Sequence, residues 1–176
     1  MKTAPELETQ AAGQVASLMA TAARTAPKTR GIDNLQVIAI DDVASRELLV
    51  AKMREIGRAE ARPSFERDAN CVSSSPAIVV LGIQSNTAGL NCGYCGQATC
   101  ESLENNKGVC AFNSIDLGIA AGSAVSMAAD SRVDTRIMFS VGRACLALNW
   151  FTPMVTQALG IPLSITGKSP FFDRKT

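Results

Sequence analysis

Apolar residues recur every three or four positions at the start of the chain: Leu7, Ala11, Val15, Leu18, Met19 and Ala22. That period puts them on one helical face and predicts a helix over 5–25, ended by Pro27 and the polar run Lys28-Thr29-Arg30-Gly31. Leu35-Gln36-Val37-Ile38-Ala39-Ile40 has the β-branched content of a strand. Asp41 or Asp42 then stands where a helix cap belongs, ahead of an amphipathic helix over 43–57 bearing Leu48, Leu49, Met53 and Ile56. Residues 58–72 carry Arg58, Glu60, Arg62, Glu66, Arg67 and Asp68 and read as a charged, irregular connection, closed by Ser73-Ser74-Ser75-Pro76. The continuous apolar run 77–83 is expected to be a buried strand. A Gly- and Asn-rich segment, 85–112, follows, and then a small-residue helix over 115–129. A strand is expected over 134–141 with Gly142 at its end, short helices near 144–148 and 153–159, and a last strand over 161–165. Helices and about four strands interleave, which allows an α/β or an α+β layer, and the pattern alone does not choose between them.

With 176 residues the chain is large enough for one domain with a real core, and it reads as a single unit over 1–176. The net charge of +1 gives no case for nucleic acid or an anionic membrane surface. Six Phe, one Tyr and one Trp are few, so Ala, Val, Ile and Leu must build the core. Glu6 and Glu8 stand where a secretory leader would be basic, and the apolar stretch 115–129 contains Asp116 and is too short to span a bilayer. A cytoplasmic protein with no membrane span is expected. In a reducing compartment clustered cysteines point to metal or redox chemistry rather than to disulfides.

Four of the six cysteines, Cys92, Cys95, Cys100 and Cys110, are spaced C-x2-C-x4-C-x9-C. Four thiolates this close can surround one metal centre. Gly93 and Gly96, following the first two, free the backbone to curl and aim its N–H groups inward. A sulfide-bridged iron cluster needs that combination of four Cys ligands and amide donors to sulfur. The chain has no histidine, which excludes a mixed Cys/His zinc site. The alternatives are four small buried side chains, a structural zinc, or disulfides. Zinc modules usually present two close Cys pairs separated by a longer loop, which this series does not. Cys71 and Cys145 lie outside the segment and read as buried apolar side chains.

Weaker candidates lie elsewhere. In the helix-to-strand junction 26–36, Lys28, Arg30, Asn34 and Gln36 would serve a phosphate or a heterocycle edge, or else form a solvated basic turn. Lys168 and Arg174 in the basic tail would close over an anionic cofactor, or else belong to a frayed terminus. Asp116 and Asp134 read as capping residues. No general acid, base or nucleophile stands out.

The run Asn91-Cys92-Gly93-Tyr94-Cys95-Gly96, with Thr99-Cys100, resembles the iron–sulfur motif of the corrinoid iron–sulfur protein of acetyl-CoA synthesis and of related redox subunits. In those proteins the motif and a later fourth Cys bind a four-iron, four-sulfur (4Fe-4S) cluster. A broader resemblance covers most of the chain beyond residue 20, to bacterial and archaeal proteins containing a ferredoxin domain. It is carried by residues 23–33, the Cys run, 115–124, Asp134 with Arg136, 160–164, Gly167-Lys168 and Phe172-Asp173-Arg174.

The order of elements also resembles that of nitroreductase-like flavoproteins, with Ala26-Pro27 and Asn34-Leu35-Gln36-Val37-Ile38 similar to their helix-to-strand junction. This resemblance implies an α+β fold: a nitroreductase-like sheet with packed helices, here carrying an inserted iron–sulfur loop over 85–112. It also implies FMN and a homodimer. The arginine-rich stretch that grips the FMN phosphate in that family has no counterpart here. The phosphate would therefore fall to Lys28, Arg30, Lys168 and Arg174, and the ring edge to Asn34 and Gln36.

These features together describe a cytoplasmic iron–sulfur redox protein with Cys92, Cys95, Cys100 and Cys110 as ligands. With FMN it would be a flavin-dependent oxidoreductase acting on a small molecule. Without FMN it would be a non-catalytic electron carrier or assembly subunit serving a redox partner protein. A zinc-stabilised binding module is the third alternative.

Overall fold

The computed structural model describes residues 1–172, so Arg174 lies outside the described residues. Four strands, β1 (Leu35–Ile40), β2 (Ile78–Gln84), β3 (Asp134–Thr135) and β4 (Val155–Ser164), form one sheet in the order β1-β2-β4-β3. Every pairing is antiparallel. β2 is central and covered on both faces, which is why its sequence is continuously apolar. Its side chains still alternate. Val79, Leu81 and Ile83 join Leu35, Ile161 and Leu163 on one face, while Ile78 and Val80 join Ile40 and Val155 on the other. Each such fully buried side chain contributes roughly 1.5–3 kcal/mol.

Helices α1 (Ala4–Thr25) and α5 (Ala111–Asp130) cover the first face. α1 starts at a capping box in which the Thr3 N–H donates to Glu6 Oε2 at 2.7 Å. Its Ala12, Ala16 and Ala23 meet Ala120, Ala121, Ala124 and Ala128 of α5, so small side chains let the two backbones approach closely. Helices α2 (Val43–Ala59), α3 (Pro63–Ser73) and α6 (Phe139–Ala147) cover the second face. The N-cap of α2 is Asp42, which accepts from Ser45 N at 2.8 Å. A short helix, α4 (Cys100–Asn105), lies inside the cysteine segment. Among the described residues, no helix is long and apolar enough to cross a membrane.

Three expectations are corrected. The charged connection 58–72 is largely the helix α3. Pro63 opens it and Phe65, Ala69 and Val72 form a buried stripe that the surrounding charges mask. The strand expected over 134–141 stops at Thr135, and the chain enters α6 at Phe139. Gly142 is therefore not a strand end but the point where α6 lies on β4: a Cβ built there would stand 1.9 Å from Ala158 O. The helix expected over 153–159 is the first half of β4, since residues 155–159 pair with β2 as Leu81↔Leu159 and Ile83↔Gln157. Pairing with a waiting strand edge overrides the local helical spacing.

Candidate metal centre

The cysteine loop leaves the end of β2 and is tied down within four residues. Ser85 N donates to Met154 O at 2.8 Å, Asn86 Nδ2 to Asn34 Oδ1 at 3.1 Å, and the Thr87 hydroxyl to Glu104 Oε1 at 2.6 Å. The Arg30 guanidinium donates to Ala88 O at 2.9 Å. Beyond this anchor the backbone turns left-handed repeatedly, at Gly89 (φ 66°), Asn91 (φ 47°), Gly93 (φ 75°) and Gly96 (φ 80°). A Cβ at Gly93 or Gly96 would meet nothing within 4 Å. Those glycines are therefore required by φ and not by space.

The coil brings the thiols together. Cys92, Cys95, Cys100 and Cys110 line one small pocket with Leu90, Leu103 and Ala111. Asn91 clamps it from two sides: its N–H donates to Cys100 Sγ at 3.4 Å, and its Oδ1 accepts from Cys100 N at 2.8 Å. Thr99 starts α4 by accepting from Ser102 N at 3.1 Å. Cys110 is buried and is the N-cap of the 20-residue α5, whose N-terminus favours negative charge. Tyr94 stacks on Phe112 with centroids 5.7 Å apart, joining the loop tip to that helix.

Among the described residues, no three Cys, Asp or Glu side chains stand close enough to hold a single metal ion. The thiols surround a pocket rather than a point. One tetrahedral zinc, with Zn–S bonds of about 2.3 Å, would need them drawn together. A multi-iron cluster would take one thiolate at each of its iron corners. The donor chemistry fits as well, being four sulfurs with an amide already aimed at one of them.

The other two cysteines are placed elsewhere. Cys145 is fully buried in α6, and burial pushes its thiol up to about 12. The Cys71 thiol faces Pro170 O at 3.8 Å; burial and then the Asp68 charge raise it. Only the thiolate is a good nucleophile. Iodoacetamide treatment of metal-free protein at pH 8 is therefore expected to label exposed Cys92 and to leave Cys145 unmodified until the chain unfolds. Peptide mass mapping reads both sites.

Of the described residues expected at a flavin, Arg30, Asn34 and Gln36 lie at one end of the sheet and Lys168 lies beyond the other. Lys28 Nζ donates to the carbonyls of Ala23, Arg24 and Ala26 at 2.7–2.8 Å, so it caps α1. Burial lowers its pKa, opposed by Asp33. Gln36 exchanges bonds with Thr152, Asn34 holds Asn86, and Arg30 holds Ala88. These three stay at the end of the sheet where Leu35 pairs with Ile83. Lys168 follows the far end of β4, where Pro162 pairs with Ile78, in a segment anchored by Pro170 on Cys71 and by Phe171 O on Arg136. A strand of ten residues, roughly 33 Å, separates it from the Arg30 end.

One residue in this region has a role that its sequence position hides. Asp116, buried in α5, accepts from Thr29 N at 3.0 and 3.1 Å and from the Thr29 hydroxyl at 2.8 Å. It caps, as expected of it, but the turn that it caps is 87 residues away in sequence. The only cue was a single carboxylate inside an alanine-rich run. Asp116→Ala is expected to cost about 1–3 kcal/mol by stranding the Thr29 N–H, read as a lowered denaturation midpoint of the metal-free protein.

Residues 106–174 match the family described as "uncharacterized protein containing a ferredoxin domain (DUF2148)". A curated protein of Archaeoglobus fulgidus is 41% identical over 168 residues, covering 90% of this chain and 89% of its own. The fold is nitroreductase-like. A nitroreductase with bound FMN from Desulfitobacterium hafniense DCB-2 superposes with a TM-score of 0.63 at 14% identity, over 89% of this chain and 79% of that one. A nitroreductase family protein from Clostridium novyi NT gives 0.60 at 13% identity, over 86% and 73%. NfrA2 of B. megaterium gives 0.59 at 11% identity, over 88% of this chain and 58% of its own.

Proposed function

The chain belongs to the family of proteins containing a ferredoxin domain, and we propose that it is a redox protein binding one 4Fe-4S cluster through Cys92, Cys95, Cys100 and Cys110. The observation that carries this reading is the single pocket lined by all four thiols on a left-handed, glycine-rich coil. When bound, such a cluster accepts or donates one electron at a time. The chain's own part is to hold the sulfurs, to donate N–H groups to them, and to keep one side open to a partner. Cys92 is exposed, and so are Leu90, Tyr94 and Val109 of the same segment, which suits transient contact with a redox protein. Clustered free thiols suit a reducing compartment, so a cytoplasmic location is part of the proposal. Electron paramagnetic resonance after dithionite reduction of anaerobically reconstituted protein tests it. A fast-relaxing S = 1/2 signal is expected, and a silent sample that retains no iron contradicts it.

The second reading adds FMN and reduction of a small molecule, favoured by the similarity to an FMN-bound nitroreductase. Within one chain Lys28 folds back onto α1 and Lys168 follows the far end of β4, which favours the reading without flavin. The electron-carrier role is therefore the one adopted. Fluorescence titration is expected to show no saturable quenching of FMN at micromolar protein. Saturable quenching that weakens in Arg30→Ala would restore the flavoprotein reading.

Homodimer formation is proposed as well. Ile115, Gly118, Ile119 and Gly122 make an exposed stripe at helical spacing on α5, opposite the face packed on α1 and the sheet. Sedimentation at micromolar concentration is expected to give twice the chain mass, and Ile119→Lys to give the monomer.

A further inference from the structure

We infer that the side-chain amide of Asn113 is a hydrogen-bond donor to cluster sulfur on the buried side of the cysteine pocket; the inference rests on the cluster reading above. Asn113 is 5% exposed, and its Nδ2 is a buried polar atom with no hydrogen-bond partner among the described residues. Leaving a buried donor unmade costs about 1–3 kcal/mol, so an orphan of this kind calls for a reason.

Its place in the fold supplies one. Asn113 occupies the first turn of α5, and its backbone N–H donates to Cys110 O at 3.0 Å. Asn113 is the third residue of α5 after the Cys110 N-cap, so the two positions are about one helical turn apart. The nearby polar groups are committed elsewhere. Asp116 is held by Thr29, and the Ser114 hydroxyl donates to Gln157. The acceptor that the cluster reading places beside Cys110 is sulfur. Asn91 N–H already meets Cys100 Sγ on the exposed side of the pocket, and Asn113 would match it on the buried side.

Hydrogen bonds to cluster sulfur favour the more negative, reduced state and so raise the reduction potential. Asn113→Leu keeps the volume and removes the donor. The test compares wild type, Asn113→Leu and Ser114→Ala after anaerobic reconstitution, by potentiometric titration followed optically. The expected result is a lower potential in Asn113→Leu alone, equivalent to roughly a tenfold change in the redox equilibrium, about 59 mV for one electron. An unchanged potential in a fully loaded Asn113→Leu overturns the inference. If Asn113→Leu does not load, the metal-free proteins decide. Without a cluster the amide has no partner, so metal-free Asn113→Leu is expected to melt at or above the wild-type temperature. Melting below it would show that the amide serves the protein alone and would also overturn the inference. If wild type itself takes up no iron, the cluster reading fails, and the two failures are distinguishable.

Discussion

Replacing Cys110 by alanine is expected to reduce bound iron to background, while Cys145→Ala keeps the full complement. Both thiols are buried, and each substitution removes one sulfur from the core. The packing cost is small in both, on the order of 1 kcal/mol for an atom of this size. What separates them is position. Cys145 sits inside α6 in the core that holds Met53, Val80 and Val141, and burial pushes its thiol up to about 12. Cys110 caps α5 and closes the buried side of the pocket, where water has little access to supply a replacement ligand. Cys92, at the exposed side, is expected to give a milder loss on replacement, because solvent reaches its corner. Iron and acid-labile sulfide per chain measure all three variants. Equal iron loss in Cys110→Ala and Cys145→Ala would mean that the assay reports folding and not ligation.

The second large effect concerns the frame. Gly142→Ala is expected to destabilise the protein by about 3 kcal/mol or more, at the upper end of overpacking costs. A Cβ there would stand 1.9 Å from Ala158 O, 2.2 Å from Ala158 C and 2.7 Å from Leu159 N. All three are backbone atoms of β4, which is fixed on its other edge by β2. No side chain can rotate away to make room. Helix propensity argues the other way, since alanine is favoured over glycine by about 1 kcal/mol inside a helix. The steric term is the larger, so the sign is expected to be destabilising. Against a typical domain stability of about 5–15 kcal/mol this is a large fraction. Urea denaturation of the metal-free protein measures it, and an unchanged or raised midpoint would contradict the packing of α6 on β4.

Some of this was legible in the residues and some was not, for physical reasons. β1 and β2 were visible because their patterns are local: a β-branched run, and a continuous apolar stretch that only a strand covered on both faces requires. α3 was hidden because Glu66, Arg67 and Asp68 stand between the buried Phe65 and Ala69, so charge outweighs a three-residue apolar stripe when read linearly. The first half of β4 was hidden for a different reason. Its state is decided by the edge of β2, some 70 residues earlier in the chain, and no local period reports that edge. Gly142 reads as a strand end until α6 is seen to need it against β4.

The candidate site divides in the same way. The four cysteines were visible because ligand spacing within one loop is a local property. The contacts that hold them are not local: Arg30 to Ala88 spans 58 positions, and Asp116 to Thr29 spans 87. Lys28 looked available for a phosphate because the sequence does not say that its ammonium folds back onto the last carbonyls of α1. Asn113 gave no signal, since a single asparagine near a helix start is ordinary until its amide is found buried and unpartnered.

The central claim, one four-iron cluster on four thiols, is tested most directly by elemental and sulfide analysis of anaerobically purified protein, with its absorption spectrum. The account predicts about four iron and four acid-labile sulfide per chain and a broad visible absorption that bleaches on reduction. Stoichiometric zinc without sulfide, with no colour after iron reconstitution, would contradict it and make the cysteine loop a structural zinc site.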